Sequence, residues 1–349
     1  MALLSERPEQ RLASDRMKIL LLGKNGQVGW ELQRSLQSLG SVLALDRHGA
    51  DWSDVPWFVG TKRLSRLYGD LSQPSQMADT IMALRPDVVV NAAAYTAVDK
   101  AETETELAFL VNTEAPAAIA RACDQIGALL VHYSTDYVFD GCSATAYTED
   151  SPTHPQSVYG KTKLDGENAI RAFAQRHVIL RTSWVFGVHG GNFLKTILRL
   201  AQEKTSLNVV SDQWGTPTSA SFIAEATASV IRSLVDKPRE DSQAAKEPVL
   251  PAYGTYHLTC TGRTSWFNYA VYVLQTARLL GMTGKLRAEG VKPVPTSAYP
   301  TAAVRPSFSV MNTAKLQKDF HIRPPMWEIE AAKVLLRVRD QLQQEIRIP

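Results

Sequence analysis

The sequence predicts an α/β fold: a Rossmann-type doubly wound parallel sheet, followed by a smaller, mixed α/β C-terminal lobe that binds substrate. Three observations support this fold class. Apolar runs of strand length alternate with helical patterns through the first half of the chain. A glycine-rich loop lies directly between the first strand and the first helix. Polar or glycine residues follow the predicted strands, at the edge where an open parallel sheet binds its ligands.

Length and composition narrow the class of protein. The 349 residues suffice for two domains, or for one large domain with a lobe, and 44% hydrophobic with 21% charged residues is typical of a globular chain. A net charge of only +3, without a long basic run, argues against nucleic-acid binding. No apolar run reaches the ~18 residues of a membrane span. Three cysteines without CxxC spacing, and no secretory signal, predict the cytoplasm.

The first strand, loop and helix carry a nucleotide-binding pattern. Lys18–Leu22 is an apolar run typical of a strand buried on both faces. The spacing Gly23-x-x-Gly26-x-x-Gly29 follows at once, and an amphipathic helix runs on to Gly40. Glycines permit a tight turn and a close approach of pyrophosphate, and the helix start offers unpaired N–H groups. In this context the loop predicts dinucleotide binding, whereas in isolation three glycines would indicate an ordinary turn.

Asp46 ends the second predicted strand, Val42–Leu45. Its carboxylate can accept hydrogen bonds from the adenosine ribose hydroxyls, which favours NADH, whereas the adjacent Arg47 can accommodate the 2′-phosphate of NADPH. The choice between the two cofactors therefore stays open. From Arg47 to Tyr68 the strand and helix pattern breaks down, and we expect an insertion there.

The remaining elements follow from the same periodicity arguments. Further strands are predicted at Asp87–Ala93, Ala128–Tyr133, His177–Arg181, Leu207–Val210 and Tyr256–Leu258. Further helices are predicted at about Gln76–Leu84, Glu106–Ile126, Tyr159–Gln175, Phe193–Glu203, Ser221–Leu234, Trp266–Leu280 and Pro325–Gln343. Two segments lack this periodicity. Residues 236–251 are predicted to be a mobile surface loop, and the proline-rich 293–306 an extended segment that can line a pocket.

Tyr159 and Lys163 lie four residues apart at the start of a predicted helix and therefore share one face. The lysine charge stabilises the phenolate, so we expect the pKa of Tyr159 to fall from about 10. Thr135, at a strand end, can reach the same point and hydrogen-bond a carbonyl substrate. Alone, a Tyr–Lys pair is usually a solvated helix face. With Thr135 and the glycine loop upstream, the pair predicts carbonyl reduction, or its reverse, beside a nicotinamide.

Five segments together resemble one protein family. They are Gly23-x-x-Gly26 followed by Gln27, then Asn91–Lys100, Ser134–Phe139, Tyr159–Lys163 and Arg181–Trp184. With them the chain resembles the extended short-chain dehydrogenases/reductases, and more narrowly the dTDP-4-dehydrorhamnose reductases. The resemblance runs from about Lys18 to Trp327, and Arg305-Pro306 supports it late in the chain.

The resemblance implies an activity and a site. Members reduce the C4 ketone of dTDP-4-dehydrorhamnose to give dTDP-L-rhamnose, with NADPH or NADH. Together with the strand-end positions, it implies cofactor contacts at Gln27, Val28, Asp46, Asp70, Leu71, Ala93, Ala94, Tyr95 and Thr96. It implies substrate contacts at Thr135, Asp136, Trp184 and Arg305. The flat face of Trp184 suits stacking on a sugar or base, and its alternative role is that of a core aromatic.

We divide the chain into three parts. Residues 1–16 form a flexible extension, 17–183 the NAD(P)-binding domain with the catalytic residues, and 184–349 mainly the substrate-binding lobe, with some segments returning to the first domain. A monomer or a homodimer is expected. Family members are associated with Mg²⁺, in some cases in a metal-bridged dimer. Glu31 fits one such position, but the acidic partner expected near Ser221 is missing, so we expect a solvated Glu31 and no tight metal site.

Two alternatives stay open. A sugar-nucleotide 4-epimerase or dehydratase of the same superfamily would keep its cofactor bound through the cycle, whereas a reductase must release it. A regulatory subunit of the methionine adenosyltransferase type also resembles this family and would be non-catalytic. Intact Thr135, Tyr159 and Lys163 argue against the second alternative.

Overall fold

The computed structural model describes residues 16–58, 64–235, 252–282 and 284–347. The predicted surface loop 236–251 lies outside these residues, as does the N-terminal extension apart from Arg16. Within the described part, no helix is long and apolar enough to span a membrane.

Strands and helices alternate along the described chain. The strands are β1 Met17–Leu22, β2 Gly40–Leu45, β3 Val88–Asn91, β4 Leu129–Thr135, β5 His177–Thr182, β6 Val185–Phe186, β7 Leu207–Val210, β8 Trp214–Gly215, β9 Thr218–Ser219, β10 Gly254–His257, β11 Thr264–Ser265 and β12 Val291–Val294. The α-helices are α1 Gln27–Leu36, α2 Pro74–Leu84, α3 Val98–Ala101, α4 Thr105–Phe109, α5 Ala115–Ile126, α6 Val158–Phe173, α7 Phe193–Glu203, α8 Ala220–Val235, α9 Trp266–Leu279, α10 Ala314–Phe320 and α11 Trp327–Arg347.

A six-stranded, all-parallel sheet forms the centre of the molecule, in the order β10-β5-β4-β3-β1-β2. Its strands are apolar because helices cover both faces. On one face Ile19 and Leu21 pack with Leu32 of α1 and Ile223 of α8. On the other face Leu20 and its neighbours pack against α2, α5 and α6. This arrangement confirms the predicted doubly wound α/β fold.

The second half of the chain adds a lobe with three two-stranded pairings, β11-β8, β12-β7 and β6-β9. The lobe does not have a separate core: Ile197 of α7, Val273 of α9 and Val334 of α11 belong to the same buried cluster as the first face of the sheet. Two elements of this half belong to the first part of the molecule: β10 is the edge strand of the central sheet, and α8 packs on one of its faces. The sheet edge and the lobe therefore face each other across a cleft.

The helix predicted at Glu106–Ile126 is interrupted. Between α4 and α5, Leu110–Glu114 forms a π-turn, a feature often found at functional sites. The buried side chain of Asn112 lies in this turn; its Oδ1 accepts from the Tyr95 N–H at 2.9 Å, and its Nδ2 donates to the Tyr95 carbonyl at 3.0 Å. The π-turn therefore carries the residue that ties this helix to the loop at Tyr95.

The predicted insertion after Asp46 is tied to the sheet by its aromatic residues. Trp52 is buried, stacks obliquely on Phe58 at 4.6 Å between ring centroids, and donates from its indole to the Leu64 carbonyl. Ala50 and Leu67 pair as an isolated bridge. The insertion therefore closes on itself beside the second strand.

A substitution at Gly29 tests how the glycine loop packs against α1. A Cβ at this position would lie 2.0 Å from the carbonyl oxygen of Gly23, a backbone atom that cannot move aside. We expect Gly29→Ala to lower the free energy of unfolding by about 2 kcal/mol or more, as overpacking does. Gly191→Ala is the matched control, because a Cβ there would meet nothing within 4 Å. Equal stability of the two variants in denaturant titrations would contradict this packing.

Candidate active site

The glycine loop touches the end of β3. Gly23 has φ of +86°, and a Cβ on it would lie 2.7 Å from the backbone nitrogen of Ala93. Only glycine combines this backbone angle with this approach. Gly26 is the N-cap of α1 and no side chain caps the helix, so its first N–H groups face the cleft. These features fit a pyrophosphate group.

Two cavities adjoin this loop at the carboxyl edge of the sheet. The inner cavity, of about 560 Å³, and the outer cavity, of about 400 Å³, share the glycine loop and the end of β3. Predicted residues that line the inner cavity are Gly23, Gly26, Gln27, Val28, Ala93, Ala94, Thr96, Tyr159 and Lys163. Those that line the outer cavity are Gly23, Gly26, Asp46, Arg47, Asp70, Leu71, Ala93 and Ala94. Most of the predicted cofactor residues are thus brought together.

Two predicted cofactor residues lie elsewhere. Gly29 is buried against Gly23 and serves the turn itself. The phenol of Tyr95 donates to Glu104 at 2.7 Å and lines neither cavity. This hydrogen bond raises the pKa of Tyr95 to about 12. The Tyr95 backbone is held by the Asn112 side chain, and the contact of Tyr95 with a cofactor stays a prediction.

Asp46 is held in place at the rim of the outer cavity. It accepts hydrogen bonds from the Asn25 amide at 2.9 Å and the His48 N–H at 2.8 Å, and Lys24 lies 3.6 Å away. Partial burial acts to raise the pKa of Asp46, but these partners together keep it below its ordinary value. The carboxylate charge is thereby partly compensated. Arg47 is exposed beside it.

The predicted catalytic residues meet at one point. Ser157 caps α6 by accepting from the Gly160 N–H at 3.1 Å, which fixes the helix start that carries Tyr159 and Lys163. Both side chains line the inner cavity. The single proton of the Thr135 hydroxyl can be donated to Asp136 Oδ1, 3.1 Å away, or to the Tyr159 oxygen, where it favours the ionised form of the phenol.

The predicted fall in the pKa of Tyr159 is wrong for this structure. Burial raises the pKa of Tyr159 to about 12, Thr135 lowers it in part, and the Asp136 charge raises it further. Lys163 does not offset this, because its Nζ donates to the Tyr133 carbonyl at 2.7 Å and lies 3.2 Å from His132 Nε2. Tyr159 is consequently protonated across the physiological pH range.

Lys163 is a buried lysine whose pKa lies near physiological pH. Lys163 is only 2% exposed. Burial lowers the pKa of Lys163 to about 8, whereas the charge of Glu167 acts to raise it. Glu167 is itself buried and forms a bidentate pair with Arg181, at 2.9 and 2.7 Å. Burial alone would raise the pKa of Glu167, but Arg181 holds it below its ordinary value. The lysine therefore sits beside an anion that is already neutralised.

Asp136 is a buried carboxyl next to the catalytic phenol. Burial raises the pKa of Asp136 to about 6, and hydrogen bonds from Ser309 and Thr135 offset part of this effect. Near neutral pH it therefore titrates close to the reacting groups.

Trp184 packs against protein. Its indole stacks on Trp266 with 3.5 Å between centroids and 7° between planes, and the backbone of Gly215 also contacts the ring. Trp266 therefore covers one face of the Trp184 indole, and the stacking of Trp184 on a sugar or base stays a prediction. Trp184 has φ of +46°, unusual for a bulky residue, so the stack holds a strained backbone.

Arg305 lies at a third cavity, of about 310 Å³, between α7, β7 and the proline-rich segment. Trp266 and Gln213 line the same cavity. The guanidinium pairs with Asp99 at 2.7 and 3.1 Å, and this pairing raises the pKa of Arg305. The third cavity thus carries a fixed cation.

Glu31 is half-buried on α1. No group of three or more His, Cys, Asp or Glu side chains that could hold a metal ion occurs among the described residues.

Sequence reasoning missed three residues that hold the site together: Asn112, His132 and Asp99. Asn112 and His132 are fully buried polar residues in apolar segments. A polar residue within an apolar segment was the sequence feature that could have indicated a buried hydrogen-bonding role. Asp99 pairs with Arg305 from 206 positions away in sequence, and no pattern indicates such a contact.

Comparison with known proteins gives one consistent result. The family model described as RmlD substrate binding domain matches residues 17–339. The dTDP-4-dehydrorhamnose reductase of Salmonella typhimurium is 46% identical over 319 residues, which cover 91% of this chain and 97% of that protein. The protein of the same name from Escherichia coli K12 is 44% identical, with the same coverage. The solved structure of dTDP-4-dehydrorhamnose reductase from Bacillus anthracis, in complex with NADP, has a TM-score of 0.77 at 29% identity, and the match covers 92% of this chain and 99% of that one.

The raised pKa of Asp136 predicts a pH-dependent effect on stability. Because the folded protein binds this proton more tightly than the unfolded chain does, the ionised carboxylate destabilises the fold above about pH 6, and the penalty disappears towards pH 4. We expect Asp136→Asn to be more stable than the wild type by about 2 kcal/mol at pH 7.5, with a smaller difference at pH 5.

Denaturant titrations at the two pH values measure this difference. Asp140→Asn is the control with the opposite sign: hydrogen bonds from the Cys142 N–H and the Tyr147 hydroxyl lower the pKa of Asp140, so its neutral replacement should destabilise the protein at pH 7.5. An Asp136→Asn variant that is less stable at pH 7.5 would contradict the assignment.

Proposed function

The chain belongs to the dTDP-4-dehydrorhamnose reductase family, and from that premise we propose that it reduces the C4 ketone of dTDP-4-dehydrorhamnose to dTDP-L-rhamnose with NADPH or NADH. One observation carries the proposal: Tyr159, Lys163 and the glycine loop line a single cavity at the carboxyl edge of the sheet, with the Thr135 hydroxyl directed at the same phenol.

The reaction adds a hydride and a proton across a carbonyl. The glycine loop, Tyr159 and Lys163 line the cavity that would hold the reduced nicotinamide, which would supply the hydride to C4 and be oxidised in exchange. The phenol of Tyr159 gives its proton to the carbonyl oxygen, so C=O becomes CH–OH and charge balances. Thr135 donates a hydrogen bond to the same oxygen as negative charge develops on it. Lys163 lies one helical turn after Tyr159 and lines the same cavity.

The raised pKa of Tyr159 is compatible with this role. A proton donor must be protonated at the start of the reaction, and a phenol with a pKa of about 12 is protonated at neutral pH. For the Lys163 ammonium to stabilise the phenolate after proton transfer, its Nζ has to turn from the Tyr133 carbonyl and His132, which it contacts in this structure, towards Tyr159. Because the pKa of Lys163 is about 8, the ammonium form is lost as pH rises through that value, and with it the stabilisation.

Both cofactors are compatible with the outer cavity. Asp46 can accept from ribose hydroxyls, as NADH requires, while its charge is offset by Asn25, the His48 N–H and Lys24. Arg47 lies at the same rim and provides a cation for a 2′-phosphate. The Bacillus anthracis relative is in complex with NADP. We therefore propose that the enzyme accepts NADPH as well as NADH.

The third cavity is our proposed site for the nucleotide end of the substrate. Arg305, whose charge is paired with Asp99, supplies guanidinium N–H donors for a diphosphate, and Trp266 offers an aromatic surface. Arg305 lies close enough to Tyr137 to affect its pKa, and the Tyr137 ring packs edge-on against Tyr159 at 5.6 Å. A sugar nucleotide held at Arg305 would thus extend its sugar towards Tyr159.

We place the enzyme in the cytoplasm, where nucleotide sugars and NADPH occur. Cys123, Cys142 and Cys260 are unpaired in the structure, which suits a reducing compartment. Monomer and homodimer remain the two expected states.

A coupled assay tests the proposed function. dTDP-glucose is converted by a dehydratase and an epimerase, this protein is added with NADPH or NADH, and nicotinamide oxidation is followed at 340 nm, roughly the absorbance maximum of the reduced cofactor. We expect stoichiometric oxidation, and we expect Tyr159→Phe to reduce kcat by roughly 10²–10⁴-fold, as loss of a general acid does.

Tyr256→Phe is the matched control. This tyrosine lies on the edge strand β10, its hydroxyl donates to the Ala252 carbonyl and to Asp319 of α10, and burial raises its pKa as well. The variant should keep the wild-type rate. No oxidation with either cofactor, from folded protein, would refute the function. Turnover without net oxidation would identify an epimerase or dehydratase, and co-purification with a methionine adenosyltransferase without turnover would identify a regulatory subunit.

A further inference from the structure

His132 lies directly behind the catalytic lysine, on the side away from the cavity. It is 1% exposed, on strand β4, and its Nε2 is 3.2 Å from Lys163 Nζ. The Tyr133 carbonyl, 2.7 Å from the same Nζ, is the other partner on this side. Burial, followed by the charge of Lys163, lowers the pKa of His132 well below 6.5, so its imidazole is neutral and carries one proton. The position of this proton decides whether His132 Nε2 presents a hydrogen-bond donor or an acceptor to Lys163 Nζ.

The other ring nitrogen of His132 faces an amide whose orientation is fixed. Asn91 Oδ1 accepts the Ala93 N–H at 3.1 Å, which turns Asn91 Nδ2 towards His132 Nδ1, also at 3.1 Å. An amide nitrogen only donates, so Nδ1 must accept and the imidazole proton must be on Nε2. In this arrangement His132 presents a donor to Lys163.

A donor facing Nζ is compatible with only one charge state of the lysine. An ammonium group has three N–H bonds and no lone pair, so it cannot accept from His132 Nε2–H, whereas a neutral amine can. An ammonium requires a bare Nε2 and therefore the proton on Nδ1. The Asn91 amide must then turn so that its oxygen accepts from Nδ1–H, and its bond to Ala93 is given up. The two charge states of Lys163 thus correspond to two hydrogen-bond arrangements.

We propose that His132 is a positioning residue for Lys163 whose tautomer changes when Lys163 gains or loses its proton, with the Asn91 amide turning in step. The ammonium form pairs with the Nδ1–H tautomer, and the amine form pairs with the Nε2–H tautomer. The proton count of the imidazole stays at one in both. This deepens the proposed function, on which it rests, because it assigns the residues that stabilise the lysine charge used in the reaction.

The other titratable groups near Lys163 do not set the hydrogen bonds of its Nζ. On its own helix, Tyr159 lies one turn before it and is protonated, and Glu167 one turn after it is paired with Arg181 of β5. From the sheet, His132 and the Tyr133 carbonyl face Nζ. The switch is therefore expected where Lys163 titrates, near pH 8.

Imidazole ¹⁵N spectra of the ¹⁵N-histidine-labelled full chain test the proposal directly. The chain has seven histidines, so the spectrum is tractable, and the protonated and bare ring nitrogens have well-separated shifts. We expect the His132 signal to change from the Nδ1–H to the Nε2–H form between about pH 6 and pH 10, around the titration of Lys163. His132→Gln assigns the signal.

Two controls keep the test decisive. Lys163→Met removes the titrating group, and the His132 signal should then no longer change with pH. His257 is equally buried, and its Nδ1 lies 3.1 Å from the Asn312 carbonyl, so it should remain Nδ1–H throughout. A single His132 tautomer from pH 6 to pH 10 in the wild type, or an imidazolium signal, would overturn the proposal.

Kinetics provide an independent readout. His132→Leu removes the acceptor of the ammonium, so the alkaline limb of the kcat/KM profile should move down by about one pH unit, because hydrogen bonding to a charged form favours it. His132→Gln, whose amide oxygen can accept from the ammonium, should restore the limb. His257→Leu should lower stability without moving it. An unmoved limb in a folded His132→Leu protein would leave His132 with a structural role only.

The two proposals fail separately. The tautomer change needs no substrate, so a wild-type protein that shows it but oxidises no cofactor would refute the reductase function alone.

Discussion

The burial of Lys163 is the constraint on which the rest of the site depends. A cation at 2% exposure is costly unless its protons have partners, and here they are the Tyr133 carbonyl and His132, at the end of a strand buried on both faces. Glu167 adds a nearby anion, but its pairing with Arg181 of the next strand limits what it contributes. The result is a lysine whose pKa lies near physiological pH, one helical turn from a phenol that keeps its proton. The parallel sheet makes this arrangement possible because it delivers backbone carbonyls and polar side chains to a single edge.

Different forces position the two ends of the site. At the cofactor end, glycines allow the backbone of the loop to approach β3, and the geometry is set by the absence of side chains at Gly23 and Gly29. At the third cavity, geometry is set by large side chains: Trp184 and Trp266 stack face to face, and Arg305 is held by Asp99. A shared core joins the lobe to the sheet, so the two ends are held in register across the cleft.

Much of the fold and of the cofactor site could be predicted because the signals are local. Strand and helix periodicity and the spacing of Gly23 and Gly26 depend on neighbours in sequence. The pKa of Tyr159 and the environment of Trp184 could not be predicted, because both depend on contacts between distant segments: burial of the phenol beside Asp136, and a stacking partner more than eighty positions away. The π-turn at Leu110–Glu114 could not be predicted from helical periodicity. Its residue Asn112 bonds the Tyr95 backbone, and periodicity does not indicate hydrogen bonds to another segment.

The central claim is that this cavity directs a hydride to the sugar ketone and a proton from Tyr159 to its oxygen. Isotope transfer tests it most directly: NADPH deuterated at nicotinamide C4, on the transferring face, is incubated with enzymatically prepared dTDP-4-dehydrorhamnose and the protein, and the product is analysed by mass spectrometry and NMR. We expect dTDP-L-rhamnose that carries a single deuterium at sugar C4, with consumption of an equal amount of cofactor. Unlabelled product, or recovery of the ketone with the cofactor unchanged, would contradict it.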